Sequence, residues 1–353
     1  METVIFLIHK IQIMYNKIIL SVVGIILLCS NVAMAQESKW SGSRPDGHAP
    51  ISVMGDHYHK KGGLMFSYRY MPMWMNGNLK STEEVSDDEI YQNFMVAPQK
   101  MNMNMHMLGV MYAPSDQITL AIMGNYVSNS MDLITRMNAD FTTESSGLGD
   151  ISVSSLIKIL NKNRQSLHAN IGISIPIGDI NQRDATAMMD DAQLAYPMQL
   201  GSGTWDPSLG ITYLGQSDKF SWGAQSKYKL RLGENSKNYT FGNRFDVLGW
   251  GAIKVSDYNS LSISLSYFNT QKIDGIDTDL NPMMMPLFNT ENSGVSQLNL
   301  GIGTNFYVPK GSLKNLRIGA EIKIPTYQKV NGIQMKKTLI ATFGIQYALV
   351  HKK

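Results

Sequence analysis

The chain has 353 residues, of which 43% are hydrophobic and only 17% charged, and its formal net charge is +3. A helical membrane protein would contain runs of about 18 or more apolar residues, and the only stretch that approaches this length lies near the N-terminus. The small net charge gives no reason to expect a nucleic-acid partner. Composition therefore argues against a helical membrane protein and against a nucleic-acid-binding protein.

The N-terminal stretch has the order of a secretory signal. Lys17 precedes an apolar run from Ile18 to Leu28, and the small-residue sequence Ala33-Met34-Ala35 follows. This order predicts a signal peptide, residues 1–35, that is cleaved during export. Cys29, the only cysteine, lies within it, so disulfides and thiol chemistry are not expected in the exported chain.

The rest of the chain is predicted to form a short lead and one large β-domain. Residues 36–63 are polar and contain Gly and Pro, which suggests a periplasmic lead or plug. From residue 64 to 353, segments that alternate apolar and polar residues are separated by turn-forming connectors. The predicted strands are 64–75, 101–112, 117–127, 150–160, 165–177, 205–215, 219–231, 239–255, 258–269, 296–308, 314–325 and 337–349.

The connectors between these segments alternate in length. Short turns such as 113–116 and 161–164 are followed by long connections such as 178–204, 270–295 and 326–336. Short periplasmic turns and long outer loops are the pattern of outer-membrane barrels. We therefore predict an all-β fold: a closed antiparallel transmembrane β-barrel of about twelve strands in the bacterial outer membrane, with lipid as a partner and an unspecified oligomeric state.

Methionine is unusually frequent, with 24 residues in the chain. Two clusters alternate at strand spacing and have a histidine nearby; they contain Met71, Met73, Met101, Met103, Met105, Met107 and His106. Thioether and imidazole groups bind soft or borderline metals, so one interpretation is a ladder for copper or another soft ion. The other interpretation is that methionine fills a narrow lumen as a flexible apolar side chain.

Two further sets of residues are candidate site residues. In the lead, His48, His57 and His59 lie close to carboxylates and are candidate ligands of a divalent metal. On the predicted strands, a mostly basic set faces the lumen and would favour anions there. Its members are Arg69, His168, Lys227, Lys229, Arg231, Arg317, Glu321 and Lys323.

No enzyme motif is found: there is no nucleophile elbow, zincin motif, P-loop or complete dinucleotide fingerprint. We expect no catalytic residues and no cofactor other than a metal ion of the kind just described. Two functions remain open at this point. One is passage of small solutes, either hydrophobic or aromatic compounds or soft metal ions. The other is a Met/His-rich metal-binding or structural outer-membrane protein without transport.

Four motifs spread along the chain form a recognisable set. They are Arg44-Pro45-Asp46-Gly47-His48, Leu108-Gly109-x-Met111-Tyr112-Ala113-Pro114-Ser115-Asp116, Gly147-Leu148-Gly149-Asp150 and Tyr196-Pro197-Met198-Gln199-Leu200-Gly201-Ser202-Gly203-Thr204. Together they resemble one known family, the outer-membrane proteins named for the meta-cleavage pathway of phenol degradation. The resemblance implies an outer-membrane barrel connected with transport, and it supplies no catalytic or ligand residues.

Overall fold

The computed structural model describes residues 40–349. The predicted signal peptide, residues 1–35, lies outside the described residues. Among residues 40–349, none of the helices has the length and apolarity that crossing a membrane would require.

Twelve long strands form the body of the molecule. They are β1 Leu64–Lys80, β2 Val96–Tyr112, β3 Ile118–Thr135, β4 Ile151–Lys162, β5 Gln165–Ile175, β6 Asp206–Gln216, β7 Phe220–Lys229, β8 Arg244–Lys254, β9 Asn259–Thr270, β10 Val295–Tyr307, β11 Leu316–Val330 and β12 Ile333–Leu349. Each pairs antiparallel with the next strand in the chain, and β12 pairs with β1 from Leu64↔Leu349 to Lys80↔Ile333. The sheet is therefore closed, which confirms the predicted barrel and its strand number.

Short strands and helical turns lie in the long connections at one end of the barrel. Glu83–Val85 pairs with β1, and Asp140–Leu148 pairs with the upper part of β3. Two small ribbons lie in the loops, Arg183–Asp184 with Ala192–Gln193 and Tyr239–Thr240 with Asp274–Gly275. The helical elements are α1 Asp87–Ile90 and three 3₁₀ turns, Tyr196–Met198, Pro286–Phe288 and Thr290–Asn292.

Side chains alternate between the two faces of the barrel wall, as the strand period requires. The outer face is apolar; for example, Leu108 and Ile302 are each 67% exposed. Their neighbours on the inner face include Gly109, Gly303 and the buried Glu321. An apolar exterior matches lipid, and closure leaves no strand edge whose backbone groups would be unsatisfied in lipid.

The connectors follow the predicted alternation, with one exception. One end of the barrel, which we call the short-turn end, has turns such as the one between Tyr112 and Ile118. The opposite loop end has the long connections, including 176–205. The predicted loop 326–336 is wrong: β11 runs to Val330 and β12 starts at Ile333, because both strands project beyond the span that the alternation pattern covered.

Strand β8 also starts later than predicted. The interpretation of 239–255 as one strand placed its start at Tyr239, whereas β8 begins at Arg244. Tyr239 and Thr240 instead pair with the loop at Asp274 and Gly275. Tyr239 is fully buried there, so apolar burial in a loop, and not membrane crossing, explains its hydrophobic character.

Strands β11 and β12 separate toward the loop end. Their backbone pairing runs from Leu316↔Tyr347 to Lys323↔Ile340, and in the described structure no further pair of these two strands follows. Pro325, just above, has no N–H to donate. The Gln328 side chain bridges the separation, donating to the Lys337 carbonyl at 2.8 Å and accepting from the Lys337 N–H at 3.0 Å.

Candidate functional site: the barrel lumen and its two closures

Residues 40–63, which we call the plug, lie inside the short-turn half of the barrel. Arg317 donates to three plug carbonyls, those of Gly42, Arg44 and Pro45, at 2.7 to 3.1 Å. Arg69 donates from Nε to the Ile51 carbonyl at 2.8 Å. The plug is thus anchored through its backbone by charged side chains of the wall, which are the stronger class of hydrogen-bond donors.

Other polar wall residues continue this pattern. His168 donates from Nε2 to the Gly55 carbonyl at 2.8 Å, and Glu321 accepts from the Ser52 N–H at 3.3 Å. Ser221, Asn305 and Gln225 donate to the carbonyls of Asp46, Ala49 and Met54, respectively. The inward residues Arg69, His168, Arg317 and Glu321, predicted from the sequence as lumen-lining, therefore contact the plug.

Two wall glycines provide the space that the plug needs. A Cβ atom at Gly344 would lie 2.7 Å from the Ile51 side chain, and one at Gly319 would lie 2.8 Å from it. Such distances are below van der Waals contact, so any larger residue would displace the plug or the wall. Ile51 itself is only 2% exposed. The glycines on β11 and β12 are therefore explained by packing against a segment far away in sequence.

A cluster of three histidines and an aspartate lies within the plug. His57 Nδ1 is 2.7 Å from Asp56 Oδ1, and His48 Nδ1 is 3.8 Å from Asp56 Oδ2. The rings of His48 and His57 lie 3.8 Å apart between centroids, and those of His57 and His59 lie 5.0 Å apart. The structure brings together the three plug histidines that the sequence suggested as ligands.

Burial and neighbouring charges shift the titration of this cluster. Burial lowers the pKa of His59 to about 3, and burial together with the Arg317 charge lowers the pKa of His48 well below its usual value. Burial alone would raise the pKa of Asp56, but His57 and the Ala49 N–H stabilise the carboxylate and lower that pKa on balance. The arrangement thus favours an ionised Asp56 and neutral side chains at His48 and His59.

Above the plug, one side of the lumen carries the remaining predicted charges. Lys323 Nζ is 3.8 Å from Glu321 Oε1, and Glu321 also accepts from the Ser264 hydroxyl. Lys227 and Lys229 lie on β7 and border a small cavity of about 30 Å³ between plug and wall. Arg231, just beyond β7, forms an ion pair with the buried Asp206. These side chains form a charged level of the lumen next to the plug.

The methionines of β1 and β2 occupy the inner wall. Three cross-strand pairs stand directly opposite one another in the register: Met71↔Met105, Met73↔Met103 and Met75↔Met101. Met107 is paired with Arg69 instead, at the level of the plug. Strand register places these side chains in a ladder along one wall, and binding of a soft metal by them stays a prediction.

The upper part of this ladder belongs to an apolar cluster that closes the loop end of the lumen. In this cluster, residues of the long loops pack against the methionines of the wall. The buried residues of the cluster are Met75, Val96, Met101, Met131, Leu133, Leu194, Ala195, Met198, Met285, Leu287 and Met335. Met101 and Met131 are each 1% exposed. Methionine is suited to such a closure because its flexible side chain fills irregular gaps.

Beside this closure lies an apolar cavity of about 340 Å³. Its lining comes from β3, from Phe141 and from the two long loops, with Leu194, Met198, Met284 and Phe288 among the apolar residues. A cavity of this volume and lining is of the kind that accepts a small apolar ligand.

Two of the motifs quoted in the sequence analysis, residues 147–150 and 196–204, fix the loop that closes the lumen. Asp150, at the end of the Gly147–Asp150 motif, accepts from the Ser202 N–H at 2.9 Å and from the Ser202 hydroxyl at 2.7 Å. It also accepts from the Gly178 N–H at 3.0 Å. The two ends of the loop 178–204 are thus tied to one carboxylate, which holds Met198 over the lumen.

His106, a candidate metal ligand in the sequence, does not share the inner face of the wall with the neighbouring methionines. His106 alternates with Met105 and Met107 and therefore faces outward, where its Nδ1 lies 2.8 Å from the Tyr68 hydroxyl. Its ring also stacks on Tyr70, with centroids 5.0 Å apart. Strand alternation places it on the opposite side of the wall from any thioether ladder.

The cavity residues of the loops were not identified from the sequence. Met188, Leu194 and Met284 lie in irregular segments and Phe288 ends a short 3₁₀ turn, so no periodic pattern distinguished them from ordinary loop residues. The available signal was the high content of large apolar residues in connections that would otherwise be polar.

One solved structure of similar fold agrees with this architecture. No curated protein sequence matches the chain. Among solved structures, it resembles an outer membrane channel from Pseudomonas putida F1, at 14% identity and a TM-score of 0.58, over 85% of this chain and 100% of that one. A FadL homologue from Pseudomonas aeruginosa matches at 11% identity and a TM-score of 0.39, over 89% of this chain and 99% of that one. The CymD monoaromatic hydrocarbon channel matches at 7% identity and a TM-score of 0.38, over 83% of this chain and 90% of that one.

At these identities the likeness to solved structures concerns the fold. The sequence itself matches a family model over residues 92–336, which is well over half of the chain. The protein therefore belongs to the family described as "Putative MetA-pathway of phenol degradation".

Proposed function

We propose that this protein is a non-enzymatic channel of the bacterial outer membrane through which small apolar or aromatic solutes pass. In this arrangement the short-turn end with the plug faces the periplasm, and the loop end faces outward. The observation that carries the proposal is the apolar cavity of about 340 Å³ at the loop end, which adjoins the methionine-lined wall of a closed barrel.

The chemistry of the cavity supports this solute class over small polar ones. Its apolar members Leu194, Met198 and Phe288 offer dispersion contacts and burial of apolar surface to a ligand. A sugar bound there would lose water without gaining enough hydrogen bonds in return. The fold likeness to an outer membrane channel and the family membership also support a transport role.

The plug makes a straight path through the barrel unfavourable for an apolar solute. Below the cavity, the solute would meet the charged level around Lys227 and Glu321 and then the plug backbone. The separation of β11 and β12 above Lys323 and Ile340 offers an alternative, because apolar solutes partition into lipid. The proposed route therefore leaves the barrel sideways, through the gap that Gln328 bridges.

The test uses the absence of cysteine from residues 40–349. A Gln328→Cys/Lys337→Cys double variant is joined across the gap by a short bifunctional thiol reagent. An Ile318→Cys/Ile345→Cys variant serves as the matched control, because these residues already face each other in the β11–β12 ladder. Uptake of the apolar fluorophore N-phenyl-1-naphthylamine by cells is then measured with and without the reagent.

We expect the wild-type protein to accelerate uptake, the cross-linked gap variant to lose that acceleration, and the cross-linked ladder variant to keep it. Acceleration that survives the gap cross-link would exclude the lateral route. No acceleration by the wild-type protein, although it is folded in the membrane, would contradict the channel function itself.

A further inference from the structure

The histidine cluster of the plug contains nitrogen atoms that the rest of the described structure does not satisfy. His48 Nδ1, His57 Nε2 and His59 Nε2 are all buried and have no hydrogen-bond partner among residues 40–349. The His57 residue as a whole is only 3% exposed. Buried polar atoms of this kind are normally paired, so three of them in one place call for a missing partner.

The geometry of the cluster suits a cation. One ligand atom from each of His48, Asp56 and His57 lies within 4.8 Å of the others. His57 Nδ1 lies 2.7 Å from Asp56 Oδ1, so a proton on Nδ1 leaves Nε2 with a free electron pair. A histidine oriented by a carboxylate in this way is the usual arrangement in protein metal sites.

We infer that the plug binds one divalent transition-metal cation, of the zinc–copper class, through His48, Asp56 and His57. His59 lies outside this group of three, with its ring centroid 5.0 Å from that of His57, and would turn inward to supply the fourth ligand. Imidazole nitrogen with one carboxylate is a donor set that zinc and copper accept and that calcium and magnesium disfavour. This inference is independent of the proposed transport of apolar solutes.

A cation could reach such a site from the short-turn end of the barrel. A cavity of about 560 Å³ opens at the short-turn end and is lined by His48, His57 and His59. The one carboxylate of the cluster, Asp56, is 3% exposed and is also held by the Ala49 N–H at 3.0 Å. The cation would reach the cluster from that side without crossing the charged level of the lumen.

The metal would connect the two arms of the plug. His48 belongs to the arm whose carbonyls at Arg44 and Pro45 are held by Arg317. His59 belongs to the second arm, and its N–H donates to the Thr119 hydroxyl at 2.9 Å on another part of the wall. A shared cation thus closes the loop between the arms and stabilises the plug in its seat.

The test measures zinc binding to the folded barrel, produced without a histidine tag, by calorimetry and by elemental analysis after dialysis. We expect one zinc per chain in the wild-type protein and in His106→Gln, whose histidine faces outward. In His48→Gln/His57→Gln we expect the affinity to fall by at least about tenfold, as loss of metal-site partners commonly causes.

Two further measurements keep the test independent of that double variant. The more peripheral His59→Gln is expected to weaken binding while the barrel stays folded, as judged by its strand circular dichroism. Cobalt added to the wild-type protein should give the intense visible bands of a four-coordinate site. No zinc bound by the wild-type protein, equal binding in the double variant, or loss of binding in His106→Gln would each overturn the inference.

Discussion

The lumen is closed at both ends, but by opposite kinds of interaction. At the short-turn end, hydrogen bonds from Arg69, His168 and Arg317 hold the backbone of the plug in one position. At the loop end, Met101, Met198 and their apolar neighbours fill the lumen by apolar packing, and the hydrogen bonds there hold the loop backbone. Directional bonds define a single arrangement, whereas methionine packing adapts to shape. We therefore expect the loop end to rearrange around a ligand more readily than the plug end.

The largest effect is expected from removing the plug. Deleting residues 40–57 takes away the segment that fills the short-turn half of the lumen and leaves the wall strands intact. A twelve-stranded barrel is wider than the eight-stranded barrels whose interiors side chains fill. We expect a several-fold increase in conductance in planar bilayers. An unchanged conductance in a correctly folded barrel would mean that the loop end alone closes the lumen.

A smaller effect is expected when a single plug anchor is removed. Arg317→Ala leaves three plug carbonyls without their charged donor, and hydrogen bonds to charged groups contribute about 1.5–3 kcal/mol each. We expect a loss of several kcal/mol from the free energy of unfolding, measured by urea titration in detergent, together with brief channel openings. Lys310→Ala, in an exposed turn, is the control and should behave like the wild-type protein.

The loop end is probed by Met284→Gln, which places a polar amide in the apolar cavity. Loss of apolar contact and the cost of an unpaired amide should weaken binding of N-phenyl-1-naphthylamine by roughly tenfold, about 1.4 kcal/mol. Met137→Gln changes the same residue type at a position that is 87% exposed, outside the cavity, and should leave binding unchanged. Similar affinities in both variants would remove this cavity from the proposed pathway.

The smallest effect on stability is expected from a change in the packing between the plug and the barrel wall. Gly344→Ala adds a methyl group where a Cβ would lie 2.7 Å from Ile51, and overpacking of this kind costs about 1–3 kcal/mol. The companion variant Gly344→Ala/Ile51→Ala should regain part of that loss in thermal unfolding experiments. If the double variant were less stable than the sum of the two single changes, the two residues would not share one packing site.

Much of the barrel was predictable because a strand in a membrane wall obeys a local rule. Alternation along β11 places Arg317, Glu321 and Lys323 inward and Ile318 and Ile322 outward, with no knowledge of their partners. The same rule predicted strand ends wrongly where a strand continues beyond its alternating segment or where a loop contains apolar residues. Residues 326–336 and Tyr239 illustrate the two failures, since periodicity reports neither strand length nor burial inside a loop.

The candidate sites depended on contacts between distant segments. The sequence placed His48, His57 and His59 in one short lead, and a cluster of them could be anticipated from spacing. The space that Gly344 and Gly319 leave for Ile51 could not be anticipated in this way, because both glycines are more than 250 positions away from Ile51 in the chain. The side of the wall that His106 occupies followed from alternation, but its partnership with Tyr68 required the register between β1 and β2.

The sequence by itself determined the fold class, the strand number and the inward or outward direction of most wall residues, because those properties follow from a period of two and from the length of each connector. Tertiary structure decided between a lead and a plug by placing residues 40–63 inside the barrel. It alone decided that the loop 178–204 turns inward over the methionine wall and that β11 and β12 separate above Lys323. These features arise from hydrogen bonds and packing between segments far apart in the chain, for which local periodicity carries no information.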